Sequence, residues 1–420
     1  MASTRISELS ARIAANTSKL EKHLVANDLP PPTFDVDSCW EPPKDVPDIE
    51  AARISILEDT TELQRLILGP REYLMSKSQN ELLSQQAIVR FRLAHSFPVG
   101  SEATFSQISE TSGLPENCVR QIIRHAVAHG IFVEPRRGFI SHNAVSRLLA
   151  EDSGMHDWVG VHTDEIWQAS AQTCNALAKW PMSEEPNQTG FSLANQSDKS
   201  MYEILSQFPE RAQRFGNSMN SYVQGAGYDL AHIVDNWSWD ELGSGTVVDV
   251  GGSEGFVCLA LARKFPSLSF VVQDIEPVIE GARKKVPADV ADRVEFMAHD
   301  FFTEQPVVGA DVYLFRWIMH NWSDKYCVKI LRCLIPALKP GAKIIVNDNV
   351  LPQPGEVSKW KESRLRNMDL TMREIQNSHE RELEDWEKLF KLADPSFDLQ
   401  VVKRPVGSNL WILVAEWKGA

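Results

Sequence analysis

The residues most able to do chemistry follow an apolar run that begins at residue 311, DVYLFRWIMHNWSDKYC. A succession of valine, tyrosine, leucine and phenylalanine predicts a buried strand. This strand ends in polar and aromatic residues, among them Arg316 and His320. Open α/β sheets bind ligands at the carboxyl ends of their strands. Histidine titrates near neutral pH, so His320 is a candidate general base.

A glycine-rich turn follows an earlier apolar run, in the sequence VVDVGGSEG. Gly251 and Gly252 allow the backbone to approach a ligand where a Cβ would clash. Asp274 ends the next apolar run, where a carboxylate can accept hydrogen bonds from both hydroxyls of a ribose. Asp300 is predicted to close the third strand, where it can bond an adenine amino group. An ordinary strand-to-helix turn, and helix N-caps at the two aspartates, are the structural alternatives.

The motif does not match the common nucleotide folds. Its spacing is G-G-x-x-G rather than G-x-G-x-x-G, and no G-K-[ST] follows it, which disfavours NAD and ATP. Apolar runs alternate with helical stretches from residue 243 onward, which predicts a doubly wound parallel sheet. The last two runs, DLQVVKRP and NLWILVAEW, are separated by a short turn at Gly407 and should pair antiparallel.

Composition limits the classes of function. The 420 residues carry 43 Lys and Arg against 57 Asp and Glu, a formal charge of −14, which disfavours nucleic-acid and anionic-membrane partners. The six cysteines are scattered without metal-ligand spacing, so we expect free thiols and no metal. No apolar run approaches the ~18 residues of a membrane span, and the first residues lack a secretory signal, so we expect a cytoplasmic protein.

The first half of the chain is predicted to be mainly helical, with a polar loop at residues 181–200. Residues 5–25 have an apolar stripe that we expect to pack across a partner subunit. Six prolines between Pro30 and Pro47 predict a linker or an extended arm. Residues 104–143 read as helix, turn, helix and two short strands, a winged helix-turn-helix. DNA binding would use its arginines, but the acidic flanks favour a packing or dimerisation role. The arginines are Arg120, Arg124, Arg136 and Arg137.

Several motifs in order resemble those of the plant and fungal S-adenosylmethionine-dependent O-methyltransferases of the caffeate and isoflavone type. They are VVDVGGSEG, VVQDI, HDFF, FRWIMHNWSD and IIVNDNVLP. The resemblance implies a class I methyltransferase (Rossmann-like) sheet, an N-terminal winged-helix dimerisation domain, a homodimer and S-adenosylmethionine as cofactor. The implied cofactor-binding residues are Gly251, Gly252, Asp274, Ile275, Asp300, Phe301 and Arg316.

The same resemblance implies catalytic roles. His320 corresponds to the catalytic base of the family, and Asp348 and Glu380 correspond to the acids that orient it. Asp348 stands where a glutamate is expected, so it should act on His320 less directly. Asn321 replaces the aspartate of H-D-W-S-D, which removes a charge beside the base. Arg316 corresponds to a cation that contacts the methionine end of the cofactor; a surface salt bridge is the alternative.

Three further residues are candidates for binding the methyl acceptor. Phe215 and Met219, in RFGNSMNSY, resemble the F-N-x-x-M segment that lines the acceptor pocket in the family. His162 lies on a predicted helix, implied to be near the same pocket. Core packing for Phe215 and Met219, and a structural role for His162, are the alternatives.

The predicted domains are an N-terminal helix and proline-rich arm (1–50), a winged-helix dimerisation domain (51–155), a helical connector lining the substrate pocket (156–242) and a methyltransferase domain (243–420). We expect methylation of a phenolic or similarly acidic hydroxyl of an aromatic or alkaloid natural product in secondary metabolism. A second hypothesis is a pericyclase or dehydratase of the same fold, which uses the bound sulfonium as a fixed charge. A ligand-responsive transcription factor is the third.

Overall fold

We describe a computed structural model over residues 4–43 and 46–419. Over these residues the strands are β1 (Glu102–Thr104), β2 (Val133–Arg136), β3 (Phe139–Ser141), β4 (Thr246–Val250), β5 (Ser269–Asp274), β6 (Val294–Ala298), β7 (Val312–Arg316), β8 (Lys343–Asp348), β9 (Phe397–Lys403) and β10 (Trp411–Trp417). The α-helices of the first half are α1 (Arg5–Ala26), α2 (Pro47–Met75), α3 (Asn80–Arg90), α4 (Phe105–Ser112), α5 (Glu116–Ala128), α6 (Ala144–Glu151), α7 (Ser153–Val161) and α8 (Trp167–Lys179). They are followed by α9 (Gly190–Ala194), α10 (Met201–Leu205), α11 (Pro209–Val223), α12 (Ala231–Val234), α13 (Phe256–Lys264), α14 (Glu276–Arg283), α15 (Asp324–Leu334), α16 (Lys359–Gln376) and α17 (Leu383–Ala393).

The chain forms two compact units that alternate along the sequence. Within the described residues, unit 1 takes the chain up to Gln168 together with Leu205–Tyr222 and Gly355–Arg364. Unit 2 takes Ala169–Ile204, Val223–Pro354 and the chain from Leu365 onward. The domain boundaries expected from the sequence are continuous segments and stay a prediction.

In unit 1 the apolar stripe of α1 packs against α2 of the same chain. Leu9 is fully buried and Leu24 is 5% exposed. Arg12 on α1 also pairs with the buried Asp59 on α2. The expectation that a partner subunit must cover this stripe is therefore not needed to explain its burial, because α2 already covers these two leucines.

Residues 104–141 form the predicted order of helix, turn, helix and two strands. α4 ends at Gly113, whose φ is 73°. Glycine suits this left-handed backbone conformation, which strains residues that carry a side chain. Strands β1, β3 and β2 form a small antiparallel sheet in that order. Three of the four arginines of this segment are paired with glutamates, so their charge is compensated locally. The pairs are Arg120–Glu116, Arg124–Glu134 and Arg136–Glu102.

Unit 2 is built on a seven-stranded sheet of order β6-β5-β4-β7-β8-β10-β9. The first five of these strands run parallel, as predicted, and β10 pairs antiparallel with both β8 and β9. Val247, Val248 and Val250 are all at most 1% exposed, because helices cover both faces of a parallel sheet. The carboxyl ends of the parallel strands therefore all lie at one edge.

Three smaller features complete the description of the fold. The segment 181–200, predicted as a polar loop, contains the short helix α9, which Thr189 caps with its side chain. All six cysteines lie among the described residues and are free thiols, as predicted. No helix among the described residues is long and apolar enough to span a membrane.

Candidate active site

The glycine turn after β4 leaves no room for side chains. The N–H groups of Gly251 and Gly252 both donate to the carbonyl of Gln273, at 2.8 and 2.9 Å, and so fasten the turn to the end of β5. A Cβ on Gly251 would lie 2.5 Å from Cδ1 of Ile318, and Gly251 also has φ of 74°. Gly251 therefore requires glycine for both space and backbone conformation, and Gly252 requires it for space.

Asp249 lies behind this turn and was missed in the sequence. It is 2% exposed, and burial raises the pKa of its carboxyl to about 7. The thiol of Cys258 lies 3.7 Å from its Oδ2. A Cβ on Gly252 would lie 2.6 Å from Cγ of Asp249. An acidic residue inside an otherwise apolar strand was the signal that could have identified it, because buried carboxylates are rare unless they have a role.

We expect Gly252→Ala to weaken binding of S-adenosylhomocysteine by at least about tenfold, which is about 1.4 kcal/mol of binding free energy. The new Cβ would clash with Asp249, and the turn must shift to relieve that clash. Isothermal titration calorimetry would measure the affinity. Gly281→Ala on α14 is the matched control, because a Cβ there meets no atom within 4 Å. Equal affinities in the two variants would contradict this description of the turn.

Asp274 ends β5 and contacts the same turn. Its Oδ2 accepts from the N–H of Ser253 at 2.9 Å and its Oδ1 accepts from the N–H of Ile275 at 2.8 Å. Burial raises the pKa of this carboxyl, and the two backbone donors oppose the shift. The N-cap of α14 is Ile275 rather than Asp274. The N-cap alternative for Asp274 is therefore wrong, and each oxygen retains a lone pair for a ligand.

The loop after β6 carries two further predicted cofactor-binding residues, Asp300 and Phe301. β6 ends at Ala298, two residues earlier than expected, and Asp300 is exposed in the loop beyond it. Its Oδ1 accepts from the N–H of Phe302 at 2.9 Å. Phe301 is half-buried and packs edge-on against Trp322 with ring centroids 5.9 Å apart.

Arg316 is held by groups other than carboxylates. Its guanidinium donates to the side-chain oxygen of Asn347 and, at 2.7 Å, to the carbonyl of Tyr228. Burial lowers the pKa of Arg316, although the charges of Asp249 and Asp348 oppose this. These contacts do not fit the surface salt bridge that was the alternative for this residue.

His320 lies in a short 3₁₀ turn, Met319–Asn321, that follows β7. His320 is 9% exposed, and its Nδ1 lies 3.0 Å from Oε1 of Glu380. An ionised carboxylate accepts the Nδ1 proton, which leaves the lone pair of a neutral imidazole on Nε2. The ring also stacks on Trp317, at 6.4 Å between centroids.

Asp348 acts on the same histidine less directly. Its Oδ2 accepts from the backbone N–H of His320 at 3.2 Å, and its Oδ1 lies 3.9 Å from Nδ1. The second distance is too long for a hydrogen bond. The aspartate therefore supports the turn and influences the ring through its charge, which agrees with the indirect role expected of the shorter side chain.

The two carboxylates change the basicity of the histidine. Burial disfavours the imidazolium, but the charges of Asp348 and Glu380 outweigh it and raise the pKa of His320 to about 9. Burial raises the pKa of Asp348 to about 6. Burial acts in the same direction on Glu380, but the charge and hydrogen bond of His320 hold its pKa below the usual range. Glu380 is thus the carboxylate that stays ionised beside Nδ1.

Two supporting residues were not identified from the sequence. Asn349 donates to Oε1 of Glu380 at 3.2 Å. Arg381 is fully buried and donates to the carbonyls of Met319 and Trp322, at 3.0 and 2.8 Å, on either side of His320. A charged residue directly after Glu380 was the only local signal for Arg381, because its partners lie about sixty residues earlier.

His320, Asp348 and Glu380 also have the ligand types of a metal site. One ligand atom from each lies within 4.8 Å of the others, and Oδ1 of Asp348 and Oε2 of Glu380 are buried without a hydrogen-bond partner among the described residues. However, Nδ1 lies at hydrogen-bond distance from a carboxylate oxygen, which requires a proton between them. A proton rather than a metal is the simpler occupant.

We therefore expect methyl transfer to be unchanged after dialysis against EDTA and after addition of divalent cations, because His320 shares a proton with Glu380. Elemental analysis of the purified protein would accompany the rate measurement. A loss of activity that a divalent cation restores would contradict this assignment and identify the three residues as metal ligands.

The predicted acceptor residues belong to unit 1. Phe215 and Met219 lie one turn apart on α11, and both are half-buried. His162 opens a π-helical turn, His162–Ile166, and its ring packs against Trp158 at 4.4 Å between centroids. Burial lowers the pKa of His162, which keeps the ring neutral at pH 7. Trp158 in turn stacks on Tyr222.

Comparison with known proteins finds a matching family model and relatives that are similar over nearly the whole chain. A family model described as "O-methyltransferase domain" matches residues 176–394. The chain is 40% identical to the "Grayanic acid biosynthesis cluster O-methyltransferase" of Cladonia grayi, over 99% of this chain and 88% of that protein. It is 36% identical to the "Chlorophenol O-methyltransferase" of Trichoderma longibrachiatum, over 99% of this chain and 91% of that protein.

Solved structures at lower identity share the fold. OxaC, solved in complex with SAH and oxaline, superposes with a TM-score of 0.77 at 22% identity and covers 98% of this chain and 99% of its own. A structure described as "A Pericyclic Reaction enzyme" superposes with a TM-score of 0.72 at 20% identity, covering 96% and 99%. At these identities the likeness concerns the fold alone.

Proposed function

This chain belongs to the O-methyltransferase family, and we propose that it methylates a phenolic or similarly acidic hydroxyl of a small natural product with His320 as the general base. The observation that carries the proposal is the contact of 3.0 Å between Nδ1 of His320 and Oε1 of the buried Glu380. That contact fixes the tautomer, and it directs the basic Nε2 away from the carboxylate.

The cofactor of this enzyme is S-adenosylmethionine. The residues present fit it, because the turn at Gly251 and Gly252 excludes any Cβ and Asp274 retains acceptor capacity beside that turn. When bound, the cofactor supplies an electrophilic methyl group on a positively charged sulfur. We propose that Asp274 accepts from the ribose hydroxyls and that Asp300, Ile275, Phe301 and Arg316 complete the site.

The raised basicity of His320 suits a phenol. A phenolic hydroxyl has a pKa of ~10 and an unperturbed histidine ~6.5, so proton transfer between them is unfavourable by several kcal/mol. With the pKa of His320 raised to about 9, the two groups are nearly matched. Matched pKa values favour proton transfer in the transition state. Asp348 and Glu380 thus make the histidine a stronger base as well as orienting it.

The names of the relatives support the class of acceptor. The relative from Trichoderma longibrachiatum is named for chlorophenol, and the one from Cladonia grayi for a biosynthetic cluster. We infer that the acceptor of this enzyme is also a small aromatic hydroxyl compound of secondary metabolism, and that Phe215, Met219 and His162 bind it.

The function is tested by incubating the protein with methyl-labelled S-adenosylmethionine and a panel of phenolic and alkaloid metabolites. We expect label in a product whose mass has increased by one methylene unit. The alternative is a pericyclase or dehydratase, and one structure of similar fold is described as "A Pericyclic Reaction enzyme". This alternative predicts a changed substrate without label. The retained histidine favours methyl transfer over that alternative.

Three broader features complete the proposal. We propose a homodimer in which the winged-helix segment of residues 51–155 dimerises rather than binds DNA, supported by the paired arginines of that segment. The domain boundaries and a cytoplasmic location are proposed on sequence grounds alone. Light scattering would test the dimer, and a mobility shift with duplex DNA at low salt would test the transcription-factor alternative.

A further inference from the structure

A largely buried connector between α16 and α17 holds the turn that carries His320. Ser378 and Arg381 of this connector are both fully buried. Oγ of Ser378 donates to the carbonyl of His320 at 2.7 Å. The guanidinium of Arg381 donates to the carbonyls of Met319 and Trp322, at 3.0 and 2.8 Å. The connector thus bonds to the backbone at the proposed base itself and on both sides of it.

The end of α16 completes this contact. Gln376 is 2% exposed, and its Nε2 donates to Oδ1 of Asn321 at 2.9 Å. Nδ2 of Asn321 donates in turn to the carbonyl of Trp317 at 3.0 Å. Each of residues 319–322 is therefore bonded to the segment that leads from α16 into α17.

Every nitrogen of the Arg381 guanidinium is bonded. Its Nε donates to Oδ1 of Asp324 at 2.9 Å, and the other two nitrogens donate to the carbonyls of Met319 and Trp322. A planar guanidinium bonds several groups in fixed directions at once, whereas the single ammonium of a lysine does not. Asp324 is the first residue of α15, so Arg381 also joins the His320 turn to the helix that follows it.

Arg381 adds a positive charge beside two negative ones. Asp348 at the end of β8 and Glu380 on the connector both face His320. Burial disfavours the imidazolium, the charges of these two carboxylates outweigh burial, and the charge of Arg381 opposes the carboxylates. Burial also lowers the pKa of the adjacent His379, which keeps that ring neutral at pH 7. Arg381 therefore acts as a counter-charge to the two carboxylates.

We propose that Arg381 is a positioning residue of methyl transfer, which fixes the backbone of the His320 turn so that the ring keeps its place beside Glu380. The inference rests on the proposed function, in which His320 is the general base. The charge of Arg381 has a second consequence, because a histidine whose pKa lies far above pH 7 is protonated and inactive as a base. Each further unit of pKa lowers the fraction of neutral imidazole at pH 7 about tenfold.

Arg381→Met removes the charge and the donated bonds while it keeps most of the length of the side chain. We expect the midpoint of the kcat/KM profile to move to higher pH by about one unit, because loss of a neighbouring positive charge stabilises the imidazolium. Removal of one of the two carboxylates should move the midpoint in the opposite direction. A purely structural role would lower the rate without moving the midpoint.

Arg381→Lys separates the bonds from the charge. The lysine keeps the positive charge, so the midpoint should stay near that of the wild type, but its ammonium cannot reproduce the three bonds of the guanidinium. We expect kcat at the plateau of the profile to fall about tenfold, because the base is no longer held in place. Affinity for S-adenosylhomocysteine, measured by calorimetry, should remain close to that of the wild type in both variants.

Arg332→Met is the matched control. Arg332 on α15 also donates to two backbone carbonyls, those of Leu392 and Ala393, each at 3.0 Å. These carbonyls do not belong to the His320 turn. We expect both the midpoint and kcat of this variant to equal those of the wild type.

A midpoint that stays in place or moves to lower pH in Arg381→Met would overturn the role of the charge, and a wild-type kcat in Arg381→Lys would overturn the positioning role. If Arg381→Met does not fold, Arg381→Gln replaces it with the same expectation, because it is also neutral but keeps an amide donor. Failure of the proposed base is a different result, namely undiminished methylation by His320→Ala. An inactive His320→Ala together with a fully active Arg381→Lys would overturn this inference alone.

Discussion

Replacement of His320 by alanine is expected to lower kcat for methyl transfer by about 10³-fold, the typical contribution of a positioned general base. The alanine cannot accept the phenolic proton, and water in the same place is a much weaker base. Affinity for S-adenosylhomocysteine should remain close to that of the wild type, because the glycine turn and Asp274 are separate from the imidazole. Label transfer and calorimetry measure the two quantities.

His232→Ala is the control for this variant. The ring of His232 contacts the carbonyl of Ala226 at 2.9 Å and lies outside the proposed site. We expect it to methylate at the wild-type rate. Undiminished methylation by His320→Ala would remove the proposed base, whereas loss of S-adenosylhomocysteine binding in that variant would show that the substitution damages the fold.

Glu380→Gln is expected to lower the maximum rate by about 10²-fold and to move the pH profile to lower pH. In the wild type the pKa of His320 is raised to about 9, so the imidazole is protonated below that pH and becomes the active base as pH rises through it. The value of kcat/KM should therefore increase up to about pH 9. Removal of one carboxylate charge lowers this pKa and brings the midpoint down.

Glu382→Gln is the control for the charge effect, because Glu382 accepts from Gln353 near the surface and does not contact His320. Its profile should match that of the wild type. Asp348→Asn should also move the midpoint to lower pH, since its carboxylate is the other charge that raises the pKa of His320. A midpoint unchanged in both Glu380→Gln and Asp348→Asn would contradict this electrostatic account.

The fold of unit 2 could be predicted from the sequence because its strands are buried on both faces. Runs such as TVVDV contain almost no polar residues, and the glycine turn marks the first strand-to-helix connection. The position of His320 at the ligand-binding edge follows from the same pattern. Local sequence also identified the turn at Gly113 and the antiparallel pairing of the last two strands.

Contacts between distant segments could not be predicted in this way. The proximity of Glu380 to His320 spans sixty residues, and only the resemblance to a family suggested it. Periodicity showed that α1 has an apolar stripe but not that α2 covers it. The hydrogen bond from Gln376 to Asn321 requires the end of α16 to lie beside the turn after β7, which no local pattern specifies.

The central claim is that His320 removes the proton of an acidic hydroxyl. The most direct test compares wild type and His320→Ala on a series of phenols of decreasing pKa under single-turnover conditions. A phenol that is already ionised needs no base, so the advantage of the wild type should shrink steadily as the acceptor becomes more acidic. A ratio of rates that stays constant across the series would contradict general-base catalysis by His320.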